Sequence, residues 1–299
     1  MGSSTEVTIS QAKKQTNQPS CPTLDEDTER TLVFVDILGF AALTEKFPKH
    51  LIHSGFDKRG FQSTSSSETF NTFNRFHRIL EQSVFSHSLN GAVRAMLFSD
   101  CAFLEFGASL LASAAATELM RSFICERVPV RMGIGRGTFY PIKFSTDITD
   151  STIITCSRFV GTAVVRASAA ERCGGKGFRI FVHPSAESEL SVIQRRTKII
   201  SLGIPYKAAN WELDFLHEAT PAQQKPSAED LDTQLFEAVL EMQREAPIDE
   251  QFHYTETIDA MNRMRKANSR PQFEMQVSKR KKGGTARNHY PHKRREPRH

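Results

Sequence analysis

The stretch TLVFVDILGFAAL, Thr31 to Leu43, limits the fold more than any other part of the chain. Four apolar residues lead into an acid, Asp36, and two residues after Ile37 comes Gly39, followed by a helix-forming segment. An apolar run of this length reads as a buried strand. Gly39 lets the backbone turn sharply, and the helix that follows presents unpaired N–H groups at its start. A carboxylate is expensive to bury alone. Asp36 is therefore expected at the strand's exit, beside a place where an ion or a phosphate can sit.

Further along, AVRAMLFSDCAFLEF reads as two strands around a turn at Ser99–Asp100. Asp100 is the second candidate acid: two carboxylates at the ends of neighbouring strands can share divalent ions. The structural alternative makes Asp36 a helix cap and Asp100 an ordinary turn residue. Between them, FDKRGFQSTSSSE (Phe56–Glu68) reads as a polar loop, and Phe70, Phe73, Phe76, Ile79 and Leu80 mark an amphipathic helix. Ser109–Glu126 is an Ala-rich packed helix. VPVRMGIGRGTFYPIKF reads as a strand leading into a glycine turn, Gly161–Cys173 as a small-residue helix, and Phe178–Pro184 and Tyr206–Leu216 as strands. The order is βαββαβ with an added helix–strand unit. It predicts an α+β domain, ferredoxin-like, with one antiparallel sheet and helices on one face. The domain is expected over residues 30–218, with accessory helices at 227–245 and 249–268, Ser227 capping the first. Residues 1–29 and 269–299 are expected to be disordered.

Charge locates the rest. The net charge is +5, yet residues 279–299 hold nine Lys plus Arg against one Glu, so residues 1–278 carry about −3. A nucleic-acid-binding body is disfavoured; only the tail suits polyanions. No apolar run reaches the length of a membrane span. The N-terminus has no apolar signal core, and Glu6 stands where a myristoylation motif needs Ser or Thr. Five scattered cysteines without a CxxC pair argue against a disulfide framework or a zinc site, so a cytoplasmic protein is expected. Cys101 reads as a small core residue, and GGKG (Gly174–Gly177) as a helix end rather than a phosphate loop.

Four segments together resemble the class III nucleotidyl cyclases. VFVDILGF is similar to their first metal motif, FSDCAFLEF to the second, VRMGIGRG to the following strand, and FVGTAVVRASAAE to the family's W-G-x-x-V-N-x-A-x-R-x-E helix. The resemblance covers residues 31–183 in family order and implies the cyclase catalytic fold. It also implies two Mg²⁺ or Mn²⁺ ions held by Asp36, the Ile37 carbonyl and Asp100, with turn amides from Leu38 to Leu43, near Gly39 and Phe40, cradling phosphates. Lys207 would be a phosphate-binding lysine.

The departures are specific. Met96 stands where purine cyclases place a base-reading Lys, and Arg158 where they place an acid. An arginine only donates, so it suits carbonyl oxygens. Uracil fits best, cytosine keeps one such oxygen, and guanine stays open. A surface role for Arg158 is the alternative. Val165 and Ala169 occupy the places of the transition-state Asn and Arg; Arg166, and after it Arg172, stand close enough in sequence to replace them. A salt bridge of Arg166 to an acid such as Glu171 is the alternative.

In wording the chain looks most like the Pycsar pyrimidine cyclases of bacterial antiphage defence. That implies a homodimeric uridylate cyclase making cyclic UMP from UTP for a separate effector. The alternatives are a cytidylate cyclase, or a degenerate cyclase-homology domain that binds a nucleotide or partner without turnover.

Overall fold

A computed structural model describes residues 29–46, 52–56, 62–66, 68–88, 94–149, 152–192, 198–206, 208–216 and 228–273. Lys207, Ser227 and the two expected disordered ends, except for residue 29 and the stretch 269–273, lie outside these. The mixed α+β architecture centres on a seven-stranded sheet built on β1 (Glu29–Ile37), with Leu32, Val33, Phe34, Val35 and Ile37 all within 3% of full burial. Both faces of β1 are covered, which is why its sequence is apolar without alternation.

On one side β1 pairs antiparallel with β5 (Cys101–Phe106), and β5 with β4 (Arg94–Leu97), the predicted hairpin. On the other side β1 pairs with β6 (Val130–Thr138). Beyond β6 lie β9 (Ile180–Val182), β11 (Ala209–Leu213) and β10 (Ile199–Tyr206), in that order. The sheet is antiparallel except that β6 and β9 run parallel. The chain from Ile199 to Leu213 forms a two-stranded unit where a single closing strand was expected.

The main core lies on the Val33–Val35–Ile37 face. It is filled by α2 (Glu68–Ser88), α3 (Ser109–Cys125), α5 (Pro184–Val192) and the C-terminal pair α6 (Ala228–Glu245) and α7 (Gln251–Ala267). Phe76 of α2 stacks on Phe123 of α3 with centroids 5.4 Å apart. Leu235, Phe236, Ile258 and Met261 belong to this same core, so α6 and α7 are packed parts of the body. The chain then folds back: Phe273 stacks on Phe236 at 4.0 Å, and Arg270 donates to the buried Asp232 at 2.7 Å. These residues fall in the segment expected to be tail.

Three local readings are corrected. Helices cover both faces of the sheet, because α4 (Thr162–Glu171) packs on the Leu32–Phe34 side with Phe103, Phe139, Ala163 and Ala167. The glycines of VRMGIGRG form no turn. Gly133, Gly135 and Gly137 alternate within β6 on one face, and a Cβ added at any of them would lie 2.1–2.5 Å from an α4 atom. Their absent side chains let α4 lie directly on the strand. The chain then continues as a ribbon of β7 (Tyr140–Thr149) against β8 (Thr152–Val160). Finally, the Ser-rich loop contributes a strand, β3 (Gln62–Ser66), paired with β2 (Ile52–Phe56). Hydroxyl-rich strands lack the apolar alternation by which strands are read.

Candidate functional site

Period-two alternation puts Asp36 on the α4 face of β1, in line with Leu32 and Phe34. Its cross-strand neighbours on that face are Cys101 of β5 and Arg131 of β6. One residue on, the Ile37 N–H donates to the Asp100 carbonyl at 2.9 Å, which ties the end of β1 to the tip of the β4–β5 hairpin. The sequence-predicted pair, Asp36 and Asp100, is thus brought together at one end of the sheet. Both are half-buried.

The hairpin tip is braced. Ser99 Oγ donates to Asp100 Oδ1 at 3.0 Å, and the Ser99 carbonyl lies 3.2 Å from Nε2 of His77 on α2. The His77 ring packs 4.3 Å from Phe73. His77 was not singled out from the sequence, since its role is to hold a backbone carbonyl rather than to join a motif.

Burial pushes the Asp36 carboxyl up to about 6 from its ordinary 3.8, and the charges of Glu171 and Asp100 add to this. Arg131 and Arg172 pull the other way by less. Among the described residues, no side chain forms a hydrogen bond or an ion pair with Asp36. Arg131 is spent on Glu171, the last residue of α4, with Nε 2.7 Å from Oε1. The Cys101 thiol is pushed up to about 11, by burial first and then by Asp100 and Asp36, so it stays protonated and is no nucleophile.

After Ile37 the chain turns through Leu38 and Gly39, the latter at φ +72°, into α1 (Phe40–Lys46). The Leu38 N–H is already used, donating to the Pro129 carbonyl at 2.8 Å, so the expected amide cradle narrows. Gly39 is exposed, and the first N–H groups of α1 have no intrahelical acceptor. A cavity of about 350 Å³ opens beside this turn and is walled by Ile37, Gly39, Arg75, Arg127, Glu245 and Tyr254. Neither Asp36 nor Asp100 lines it.

The remaining expected residues fall into two places. Met96, half-buried on β4, packs on the α4-side cluster together with Phe159. Arg158 precedes Phe159, whose ring lies 5.4 Å from Phe103 and 6.0 Å from Phe98, so β8 delivers position 158 to the neighbourhood of the hairpin. Arg166 is elsewhere: its Nη1 donates to the Arg136 carbonyl at 2.7 Å. Arg136 is five residues along β6 from Arg131, about 16 Å at strand spacing. Within one chain Arg166 is therefore not brought to Asp36, and its partner is a carbonyl rather than the acid considered from sequence. Arg172 is at the Asp36 end, 73% exposed, with Nε 3.8 Å from Glu171 Oε2.

The donors fit a hard divalent cation: two carboxylates and the Ile37 carbonyl, all oxygen, with no side chain among the described residues paired to Asp36. No cluster of three or more His, Cys, Asp or Glu forms among the described residues, so two acids carry the whole candidate centre. No helix among the described residues is long and apolar enough to cross a membrane.

No protein-family model matches the sequence, and no curated protein matches it. Among solved structures, the fold is similar to the guanylyl cyclase Cya2, at 16% identity and TM-score 0.42, covering 62% of this chain and 91% of that one. It is also similar to the adenylyl cyclase CyaB from P. aeruginosa, at 14% and 0.42, covering 67% and 97%. A third is the guanylate cyclase domain of RhGC from Catenaria anguillulae in complex with GTP, at 16% and 0.42, covering 62% and 93%. The likeness is one of fold, and the chemistry rests on the chain's own residues.

Proposed function

We propose that the chain is a metal-dependent nucleotidyl cyclase, a lyase that converts UTP to 3′,5′-cyclic UMP and diphosphate. It works as a cytoplasmic homodimer, in the manner of the Pycsar pyrimidine cyclases it resembles, and a separate effector reads the product. One observation carries the reading. Asp36 and Asp100 stand together at the exit of β1, tied by the Ile37–Asp100 backbone bond, and among the described residues no side chain pairs with Asp36.

Asp36, Asp100 and the Ile37 carbonyl would hold Mg²⁺ or Mn²⁺. Two such ions, when bound, supply acidity to the substrate 3′-hydroxyl and neutralise charge on the departing diphosphate. The protein's own part is placement. N–H groups at Gly39 and Phe40 face the triphosphate, helped by Lys207. Met96 gives the base an apolar wall without the donor a purine cyclase uses. Arg158 donates to the uracil carbonyl oxygens. Arg166 belongs to the α-phosphate of the partner's site, since its own sheet holds it far from its own Asp36; Arg172 is the alternative cation at that end.

A second reading has its own observation. Val165 is 68% exposed, Ala169 carries no polar group, and Arg166 is engaged on a carbonyl. These favour a degenerate domain that binds nucleotide without turnover. The test is incubation of the full chain with Mn²⁺ and each of ATP, GTP, CTP and UTP, with products identified by mass. Cyclic UMP that disappears in Asp36→Ala and Asp100→Ala is the expected result. Cyclic CMP would overturn the role given to Arg158. No product from folded protein would favour the binding module.

A further inference from the structure

Arg131 stands directly across from Asp36 on the neighbouring strand, on the same face of the sheet. Cross-strand neighbours have Cβ atoms about 5 Å apart, and an arginine fork is shaped to grip a carboxylate. Left to itself, this arginine would close on Asp36. Its donors point elsewhere. Nε donates to Glu171 Oε1 at 2.7 Å, a terminal nitrogen stands 2.5 Å from the same oxygen, and Nη1 donates to the Gly175 carbonyl at 3.0 Å.

Glu171 is 1% exposed, and no basic group other than Arg131 and the solvent-facing Arg172 pairs with it among the described residues. Its placement follows from a glycine. At Gly133 an added Cβ would lie 2.5 Å from the Glu171 nitrogen and 3.0 Å from its Cβ. The end of α4 is thus set down over β6, where the Glu171 carboxylate can take hold of Arg131.

We propose that Glu171 is a positioning residue: it withdraws Arg131 from Asp36 and so leaves the Asp36 carboxylate open to a divalent cation. This rests on the metal reading given above. Without Glu171, Arg131 swings onto Asp36, and a cation must displace a guanidinium before it binds. The role differs from that of a structural ion pair, which would stabilise α4 and leave Asp36 as it is.

The test measures Mn²⁺ binding to the full chain by the EPR signal of free Mn²⁺, without nucleotide. It compares wild type, Asp36→Ala, Glu171→Gln and the double variant Arg131→Met/Glu171→Met. Partners that orient a metal ligand typically govern affinity by about 10–100-fold. Glu171→Gln is expected to bind about tenfold or more weakly, and the double variant to return to within about threefold of wild type, since the competing cation is gone. A merely structural pair gives no such rescue. Folded Glu171→Gln with wild-type affinity overturns the proposal. If Glu171→Gln does not fold, the double variant decides: affinity as low as that of Asp36→Ala overturns it. Wild-type binding by Asp36→Ala would remove the metal reading itself. Loss in Asp36→Ala with no loss in Glu171→Gln removes only the role of Glu171.

Discussion

Asp36→Asn should make the metal-free protein more stable while removing its proposed activity. In the unfolded chain the Asp36 carboxyl loses its proton near 3.8, and in the folded chain near 6. Between those values the folded state holds more protons, so stability falls as pH rises from about 4 to about 6 and stays lowered above that. At about 1.4 kcal/mol per tenfold change in proton affinity, the ceiling is about 3 kcal/mol. Asp36 is only half-buried, and solvent screening brings the expected penalty to about 1–2 kcal/mol. In a body of this size that corresponds to a gain of about 3–6 °C in Tm for Asp36→Asn at pH 8. The assay is thermal and urea unfolding of both full chains in EDTA, at pH 8 and pH 4. Most of the difference should vanish at pH 4, and Mn²⁺ at pH 8 should raise the Tm of wild type alone. A gain equal at both pH values, or an Asp36→Asn chain less stable than wild type at pH 8, would refute the account of a carboxylate pushed up by burial and neighbouring charge.

Other substitutions test the scaffold. Gly135→Ala would put a Cβ 2.5 Å from the Ala167 nitrogen, so α4 must lift; overpacking of this kind costs about 1–3 kcal/mol, measurable by urea unfolding. Gly39→Ala meets no atom within 4 Å but must hold φ +72°, so its cost is conformational only, about 1 kcal/mol by the same assay. Arg179→Met strands Glu212, which is fully buried and among the described residues then keeps only the more distant Arg263. Removing one partner of such a pair costs about 3–5 kcal/mol and should appear as a large loss of Tm. His77→Phe keeps ring packing on Phe73 and removes the bond to the Ser99 carbonyl, at about 1 kcal/mol. It should raise the Mn²⁺ concentration that gives half-maximal activity.

The two candidate acids stood out because each interrupts an apolar run at a turn, and that signal is local. Helices α2 and α3 were legible for the same reason, through their apolar spacing, and the C-terminal pair through the start signal PSAED. What escaped was set by contacts distant in sequence. Whether the glycines at 133, 135 and 137 make a turn or a strand depends on α4, some thirty residues later, needing room to lie on them. The choice by Arg131 of Glu171 over Asp36 is decided by that same seating. The ribbon β7–β8 follows the glycines and was hidden behind the reading of a turn. Ser-rich β3 hid in composition, since strand pairing is made by backbone groups that every residue carries.

The seating of α4 also limits which residues the chain is free to change. Along that helix, Ala163, Ala167 and Ala170 are fully buried, and Ala163 and Ala167 face the glycine strand, so enlarging either side would require shrinking the other. These positions should vary together across related sequences or not at all. Val165, 68% exposed, is under no such constraint. Nothing in the chain's own packing asks for valine there, so the residue at that position answers to what the outer surface of α4 must meet. Selection at Val165 is then exerted by whatever lies against that surface, while selection at the glycines is exerted by the fold.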